Sequence, residues 1–524
     1  RCTEGDGAYD TIVEIRGVGY HEHLGRGRCD ITPLVEGMRW VRGEQSGEGP
    51  ATVLPDSNFG TEWPLVTFFD VTEPRPYQYP VVIGSPGEDL RRKQDAGVIT
   101  VLPTNADGVP IARRSRTISQ GTPGVPGRSQ AGDEWGASVL VADFNRDGWD
   151  DIVVGAPGEG VGGANNAGAV TLLLGNGHSP TGNGTALIHR DQFGVPGTAR
   201  ANDRFGAALA VVDWNMDPFP DLAIGVPGDD QDGVRNAGAV VILMGSPQGL
   251  TSRGAVRLTQ DSPGIPNASH RGDQWGSVLA ADGRTLAIGA PKEDLSGKKD
   301  AGSVTLAMSY RAEGAAITQR GAGERTEARD QFGAALDFSR GTLAIGAPGE
   351  TVRRKSNAGA VSVIRIDPDW DLPYTHWRAR VDYSTRDEGD WVGPAAEGDR
   401  FGAAVLVLGP DEVLVGVPGA SVDGTAGAGM VLLDDRRFIH AENPGVPGAV
   451  EAGDAFGSSL ALGRFTSVLM IGVPNQDVRG RADAGAVVML GLGDAYSKQI
   501  TSSTRGIKGK PELRDMFGSS LGAS

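Results

Sequence analysis

Phe205-Gly206-Ala207-Ala208-Leu209, then Leu222-Ala223-Ile224-Gly225-Val226-Pro227, then Asn236-Ala237-Gly238-Ala239-Val240 form the stretch that decides the fold. It contains an aromatic-Gly pair, a Gly-small-Pro triplet and an Ala-Gly pair, each beside a short apolar run. The triplet occurs seven times, beginning at Gly84, Gly155, Gly225, Gly289, Gly346, Gly416 and Gly472. The aromatic-Gly pair occurs eight times, beginning at Phe59, Trp135, Phe205, Trp275, Phe332, Phe401, Phe456 and Phe517. Such self-similarity is typical of solenoids, propellers and arrays.

The apolar runs of one repeat predict four short strands. The run after Phe205 is rich in small residues, as expected for a strand buried between two sheets. Gly225 allows close approach of another backbone, and Pro227 stops ladder pairing at the end of the second strand. A third run follows Gly238, and the more polar residues 255–259 supply a fourth. We therefore predict an all-β chain that forms a seven-bladed β-propeller of four-stranded antiparallel blades.

The last aromatic-Gly pair, Phe517-Gly518, gives one more first strand than there are triplets. The first repeat, which begins at Phe59, departs most from the pattern, so the last strand can pair near it and close the ring. Closure removes an open sheet edge that would otherwise template aggregation. A chain cut within an eighth unit gives the same count, and the sequence leaves both interpretations open. We assign residues 1–55 to an N-terminal extension and residues 56–524 to the propeller.

Composition limits the classes of partner. The 80 Gly and 32 Pro occupy fixed places in the repeat, so they are turn residues of a folded chain. A formal net charge of -17 argues against a nucleic-acid partner. No apolar stretch approaches the about 20 residues that span a bilayer, so we expect no membrane span. No secretory leader stands at Arg1, and we expect a soluble chain that is already trimmed.

These repeats resemble the FG-GAP repeats of integrin α-subunit β-propellers, and more closely those of secreted bacterial FG-GAP repeat proteins. The resemblance extends over about residues 56–524, where linkers such as residues 121–127 precede an acidic Gly-Asp-x-aromatic-Gly element. It implies a seven-bladed propeller, a secreted or cell-surface location, and calcium between the first two strands of some blades. In such an exported protein, we expect Cys2 and Cys29 to form a disulfide that ties down the N-terminal extension. Two unrelated thiols are the alternative.

Two acidic loops match the spacing of calcium ligands. Calcium takes about six to eight hard oxygens, which loop positions 1, 3, 5 and 9 and the carbonyl of position 7 can supply. Pro218 stands where the first loop has Gly148 and cannot adopt a positive φ, so we expect the second loop to bind more weakly. An acidic hairpin turn is the alternative for both loops. The ligands would be Asp143, Asn145, Asp147, Asp151 and the Trp149 carbonyl in the first loop, and Asp213, Asn215, Asp217, Asp221 and the Phe219 carbonyl in the second.

An insertion between the fifth and sixth repeats is rich in aromatic residues. Within residues 367–391, Trp370, Tyr374, Trp377 and Trp391 stand among Asp and Arg side chains. Rings flanked by carboxylates suit stacking on sugars or on a flat organic ligand. We therefore expect ligand binding here, and packing of the rings against the blade is the alternative.

Three other motifs have simple structural explanations. The adhesive tripeptide Arg271-Gly272-Asp273 overlaps the repeated Gly-Asp element, so its arginine is attributed to chance. His21 and His23 share one strand face, but the sequence offers no third metal ligand, which favours a solvated strand end. Ser459 and Ser520 stand where another blade has alanine, as small strand residues do.

The leading interpretation is an exported calcium-binding β-propeller that acts as a binding or adhesion-type module for a protein, another macromolecule or a glycan. The alternative is a propeller-scaffold enzyme, cyclase-like or a hydrolase, that uses channel-face loops and the N-terminal segment with Tyr20, His21 and His23. A structural envelope component is a third interpretation. The fold does not choose among them, because function lies in the sites that a fold carries.

Overall fold

A computed structural model describes most of the chain. Side chains and backbone are described for residues 79–105, 109–176, 184–309, 314–323, 325–366, 394–410, 412–433, 437–463, 468–492 and 496–523. Backbone alone is described for residues 2–3, 10–15, 20–26, 28–29, 51–52, 66–71, 380–384 and 434. The chain divides into two compact units, Arg1–Arg75 and Pro76–Ser524. The division lies beyond residue 55, because a strand at residues 66–71 pairs within the first unit.

The first unit contains short antiparallel strands. They are β1 (Cys2–Thr3), β2 (Asp10–Ile15), β3 (Tyr20–Arg26), β4 (Arg28–Cys29), β5 (Ala51–Thr52) and β6 (Val66–Val71). Four of them form a sheet in the order β3-β2-β6-β5, and β1 pairs with β4. In the β1–β4 pair Cys2 lies directly opposite Cys29. Opposed residues of antiparallel strands have Cα atoms about 4.5–5.5 Å apart, a separation that a disulfide spans. The disulfide itself stays a prediction.

The second unit consists of seven four-stranded antiparallel sheets. Its first strands are β7 (Val81–Ser85), β8 (Val98–Leu102), β9 (Arg116–Ile118), β10 (Ser138–Ala142), β11 (Asp151–Ala156), β12 (Ala169–Leu173), β13 (Ala186–Ile188), β14 (Leu209–Val212), β15 (Asp221–Val226), β16 (Ala239–Met244), β17 (Thr251–Leu258), β18 (Val278–Asp282), β19 (Thr285–Ala290), β20 (Ser303–Met308) and β21 (Ala315–Ile317). The remaining strands are β22 (Ala335–Ser339), β23 (Thr342–Ala347), β24 (Ala360–Arg365), β25 (Arg380–Ser384), β26 (Ala404–Gly409), β27 (Glu412–Val417), β28 (Met430–Asp434), β29 (Arg437–Ile439), β30 (Ser459–Leu462), β31 (Val468–Val473), β32 (Ala486–Gly491), β33 (Ser497–Ile500) and β34 (Ser520–Gly522). A single-turn 3-10 helix covers Ala112–Arg114.

The seven sheets are the blades of a closed propeller. Blade 1 has the strand order β34-β7-β8-β9, and blades 2 to 7 are the consecutive quartets from β10–β13 to β30–β33. The first strands of successive blades touch one another in the order β34, β10, β14, β18, β22, β26 and β30, and β30 touches β34. The predicted all-β seven-bladed propeller is confirmed.

The last strand closes the ring. Strand β34 pairs antiparallel with β7, and Ser520 lies opposite Gly84. Its hydroxyl donates to the carbonyl oxygen of Gly136 in blade 2 (2.7 Å). Strands from the beginning and the end of the second unit therefore share one blade, and the eighth aromatic-Gly pair serves closure.

The aromatic ring of each repeat lies between neighbouring blades. Phe205 is fully buried and belongs to an apolar cluster with Val153 of blade 2 and Leu222 of blade 3. The corresponding residues of the other blades are also buried, namely Trp135, Trp275, Phe332, Phe401, Phe456 and Phe517. No helix among the described residues has the length and apolarity needed to cross a bilayer.

Glycines allow the backbones of adjacent blades to touch. A Cβ on Gly225 of blade 3 would overlap the carbonyl oxygen of Gly276 in blade 4. Gly238, with a φ of +93°, lies just as close to the backbone of Trp275. The Gly225 contact recurs at the glycine of all seven triplets. The repeated glycines are therefore required by contact between blades.

We predict that Gly225→Ala destabilises the propeller by at least about 2 kcal/mol, as overpacked positions do. Gly409→Ala is the control, because a Cβ there meets no atom within 4 Å and its φ is not left-handed. Urea unfolding of both variants measures the difference. Equal stability of the two variants would contradict the proposed contact.

Candidate cation-binding sites

The first acidic loop joins β10 to β11 in blade 2 and is held by its own side chains. The Asp143 carboxylate accepts the backbone N–H groups of Asp147 (3.1 Å) and Gly148 (2.9 Å). The Asn145 amide donates to the Asp147 carboxylate (2.9 Å). Gly148 has a φ of +86°, the left-handed conformation that lets the loop bend there. The loop therefore brings the side chains of positions 1, 3 and 5 together.

Asp151 closes this loop from inside the protein. Its carboxylate is fully buried and accepts the N–H groups of Phe144 (3.0 Å) and Gly175 (2.9 Å). Burial raises the pKa of Asp151 to about 7, and the nearby Asp143 carboxylate adds to the rise. Among the described residues, no Lys or Arg forms an ion pair with Asp143, Asp147 or Asp151. The cluster therefore has three acids without a basic side chain to balance them.

The second loop joins β14 to β15 and differs at its first ligand position. Pro218 has no N–H to donate, so the bond that Gly148 makes in the first loop has no counterpart. One oxygen of Asp213 accepts the N–H of Met216 (2.9 Å), and the other accepts Nε of Arg284 from blade 4 (3.3 Å). A basic side chain thus already faces this loop. The sequence-based ranking of the two calcium loops did not include Arg284, because this residue lies 71 positions beyond Asp213 in the chain.

The donor chemistry of the first loop fits calcium. Its oxygens come from three carboxylates, one amide and the backbone carbonyl of Trp149, and calcium prefers hard oxygen ligands. The second loop offers the corresponding oxygens from Asp213, Asn215, Asp217, Asp221 and Phe219. Arg284 lowers the charge that this second set can offer to an ion.

A second kind of acidic cluster occurs where each blade begins. In each blade the Asp two positions before the buried aromatic residue accepts the backbone N–H of the residue three positions before that Asp, as Asp203 does from Arg200 (2.8 Å). In blades 1 to 5, a second acidic residue follows the Gly-x-Pro triplet and belongs to the same blade as this Asp. These pairs are Asp515 and Glu88, Asp133 and Glu159, Asp203 and Asp229, Asp273 and Glu293, and Asp330 and Glu350. We call them the acid pairs.

Whether the charge of an acid pair is balanced depends on a residue from the preceding blade. This residue stands two positions after the end of that blade's fourth strand. In blade 3 this residue is Arg190, which is buried and contacts both Asp203 and Asp229 at 3.0 Å. In blade 2 it is Gln120, whose Nε2 donates to Glu159 (2.6 Å). Gln260 and Gln319 make the same contact with Glu293 and Glu350 (2.6 and 2.5 Å). A glutamine satisfies hydrogen bonds but brings no positive charge.

The acid pair of blade 2 therefore retains a proton to unusually high pH. Burial raises the pKa of Glu159 to about 7, and the neighbouring Asp133 carboxylate adds to the rise. Burial also raises the pKa of Asp133, while the Lys93 ammonium acts in the opposite direction. The other neighbours of Glu159 are the amides of Gln120 and Gln130.

We predict that stability falls as pH rises from about 4.5 to 7. The native state keeps a proton on Glu159 in this range and the unfolded state has lost it, so the native state binds more protons and is destabilised as pH rises. Glu159→Gln should make the fall in melting temperature shallower, measured with calcium at a fixed saturating level. Glu442→Gln, which removes an exposed carboxylate, controls for the loss of one charge. If the melting temperature fell as steeply with pH in Glu159→Gln as in the parent, Glu159 would be ionised over this whole pH range.

Of the remaining sequence-predicted sites, the structure describes the histidine pair but not the aromatic residues predicted to bind a ligand. Trp370, Tyr374, Trp377 and Trp391 lie outside the described residues, on either side of β25. The two histidines of the first unit, His21 and His23, lie two positions apart in β3, opposite β2. They therefore share a strand face, as predicted.

Two of the simple explanations also agree with the contacts. Asp273 of the Arg-Gly-Asp tripeptide is 1% exposed and accepts the N–H of His270, so its carboxylate is not available to a receptor. The hydroxyl of Ser459 donates to the carbonyl of Gly518 (2.7 Å), as Ser520 does to Gly136. These serines join neighbouring blades.

Comparisons with known proteins agree with this architecture. The FG-GAP repeat family model matches residues 135–173. Phosphatidylinositol-glycan-specific phospholipase D of Bos taurus is 38% identical over 117 residues, which are 22% of this chain and 14% of that protein. Integrin alpha-PS5 of Drosophila melanogaster is 34% identical over 169 residues, 31% of this chain and 15% of that protein. Human integrin alpha-7 is 31% identical over 182 residues, 34% of this chain and 14% of that protein.

The matched regions thus span about one seventh of the length of these relatives. Among solved structures, a Synechocystis apocarotenoid oxygenase covers 86% of this chain and 93% of its own, with 11% identity and a TM-score of 0.40.

The repeated aromatic-Gly and Gly-x-Pro elements, the four-stranded blades and the closed ring define a seven-bladed β-propeller made of FG-GAP-type repeats. The acidic loop between the first two strands of blade 2 lies inside the matched repeat. The chain carries an integrin-like FG-GAP β-propeller.

Proposed function

We propose that this protein is an exported, calcium-stabilised propeller that binds a macromolecule or a glycan. The observation that carries the proposal is the first acidic loop, residues 143–151. It gathers Asp143, Asn145 and Asp147 by direct hydrogen bonds and sets the buried Asp151 beneath them. Three carboxylates so placed repel one another, and a divalent cation removes that repulsion.

Export is supported by two further observations. Cys2 and Cys29 are opposed in the β1–β4 pair, which suits a disulfide formed in an oxidising compartment. Calcium concentrations outside cells are high enough to fill sites of modest affinity, with dissociation constants of about 10⁻⁴–10⁻³ M.

Binding is proposed to use the loops, because the apolar faces of the blades pack against neighbouring blades. In the closed ring, variation in length is confined to the connections between strands. The connections on either side of β25 carry the aromatic residues predicted to contact a ligand. Rings offer large apolar area at low conformational cost, so they suit an adhesive or glycan-binding surface.

For the calcium site, we predict that Asp147→Ala removes most of the rise in melting temperature that calcium gives. A ligand at 100 times its dissociation constant stabilises the native state by about 2.7 kcal/mol, and the variant loses one charged ligand from the first loop. Asp217→Ala, the matched change in the second loop, should have a smaller effect, because Pro218 and Arg284 weaken that loop. Scanning calorimetry in calcium and in chelator measures both.

Arg284→Gln sharpens this test. Removing the guanidinium frees one oxygen of Asp213, so calcium binding at the second loop should become stronger while the first loop stays unchanged. Anomalous diffraction assigns ions to loops directly. Strong occupancy of the second loop with the first loop empty would show that our ranking is wrong.

For the ligand site, we predict that Trp370→Ala and Trp377→Ala weaken ligand binding and leave the melting temperature nearly unchanged. One desolvated ring at an interface can contribute about 2 kcal/mol or more. Retention on an array of immobilised glycans measures the binding. Trp135→Ala is the contrasting control, since Trp135 is fully buried and its Nε1 donates to Thr171 (3.0 Å). A large loss of stability in Trp370→Ala, with glycan retention intact, would place these rings in the core instead.

A further inference from the structure

The acid pair of blade 4 has a neighbour that the other acid pairs lack. His270 lies three positions before Asp273, and its backbone N–H donates to Asp273 Oδ2 (2.8 Å). This turn brings His270 Nδ1 to 3.6 Å from Asp273 Oδ2 and 3.9 Å from Glu293 Oε1. One ligand atom from each of the three residues lies within 4.8 Å of the other two.

We propose that His270, Asp273 and Glu293 form a binding site for a divalent transition metal of the zinc class. Ligand atoms that bind one tetrahedral zinc at about 2.0–2.2 Å lie about 3.3–3.6 Å apart. The separations of the His270 nitrogen from the two carboxylates are already close to that range. One imidazole nitrogen and two carboxylates are donors that such metals accept, and three protein ligands leave a position for water.

Burial of the two acids explains why a cation is needed here. The side chains of Asp273 and Glu293 are 1% and 3% exposed, whereas that of His270 is 63% exposed. In blade 3 the equivalent pair, Asp203 and Asp229, contacts the guanidinium of Arg190. Blade 4 has Gln260 at the place of Arg190, so the fixed positive charge of blade 3 has no counterpart. Buried carboxylates without a balancing cation are costly.

Gln260 lies directly beside this cluster. It is 1% exposed, and its Nε2 donates to Glu293 Oε2 (2.6 Å), which places the amide beside the cluster. The Oε1 atom of the same amide has no hydrogen-bond donor. Among the described residues, the Oε1 atoms of Gln120 and Gln319 share this feature, so it is common to the glutamines of blades 2, 4 and 5.

Blade 2 supplies a natural control within the same chain. It has the same acid pair type, Asp133 and Glu159, and the same glutamine contact from Gln120. At the position of His270 it has Gln130. The residues at this position in the other blades are Arg200, Glu327, Ala396, Glu451 and Glu512, so His270 is the one histidine in the set. The histidine is thus what distinguishes a transition-metal site from an acid pair.

The test is calorimetric titration of the full chain, without a histidine tag, with zinc chloride at pH 7 in saturating calcium. We expect one zinc site whose affinity falls at least tenfold in His270→Gln. Gln130→His should add a second site in blade 2, raising the stoichiometry from about one to about two. His21→Gln with His23→Gln should leave the affinity unchanged. In cobalt-loaded protein, the visible absorption of the bound ion should be lost in His270→Gln.

Three results would overturn the proposal. Zinc affinity that is equal in the parent and in His270→Gln would place the metal elsewhere. No zinc binding up to about 1 mM by the folded parent would mean that His270 only forms an ion pair with the two carboxylates. Failure of Gln130→His to add a site, with its circular dichroism unchanged, would show that this combination of residues does not bind the metal. Calcium binding at the first loop is measured separately, so these outcomes do not depend on the proposed function.

Discussion

Contact between glycine backbones of adjacent blades is the constraint on which the rest of the structure depends. Within blade 3, the N–H of Gly206 donates to the carbonyl of Gly225 (3.0 Å), and Gly225 in turn faces the carbonyl of Gly276 in blade 4. A side chain at either point would separate the blades. The close approach brings the buried aromatic rings between sheets, so apolar burial and backbone contact support each other. Because every blade repeats the contact, the ring closes only if the last blade also finds a partner, which β34 provides.

This rigid frame fixes where charged groups can stand. The loop between the first two strands of a blade and the turn that leads into the first strand are both anchored by backbone hydrogen bonds. Gly228 donates to the carbonyl of Asp203 (3.0 Å), which holds the residues after the triplet beside the turn that contains Asp203. The acid pairs are therefore a consequence of the same packing that defines the blades. Their charges are buried by geometry, and each blade must supply a way to balance them.

Sequence reasoning recovers the features that repeat and misses the ones that depend on neighbours. The blade count, the strand order and the role of Gly225 follow from spacing, because the same local pattern occurs seven times. The closing role of β34 was one of two interpretations, and it required the observed pairing with β7 to be settled. Arg284 beside Asp213 and His270 beside Glu293 join residues from separate connections, so no local pattern announces them. The Asp two positions before each buried aromatic residue and the acid after the triplet in blades 1 to 5 are visible in the sequence, but their proximity depends on strand register.

The comparison between blades shows how one scaffold handles the same electrostatic problem in different ways. Blade 3 balances its acid pair with the guanidinium of Arg190, a charge that does not depend on pH or on ions. Blade 2 has the amides of Gln120 and Gln130 at Glu159 in place of a guanidinium, and burial raises the pKa of that carboxyl to about 7. Blade 4 adds an exposed imidazole. Its nitrogen has a lone pair that can bind a metal, whereas the guanidinium of an arginine has none. A change of one or two side chains at fixed positions is thus enough to convert a structural ion pair into a site that responds to its surroundings. In an FG-GAP propeller this allows new cation sites to arise without any change in the blade that carries them.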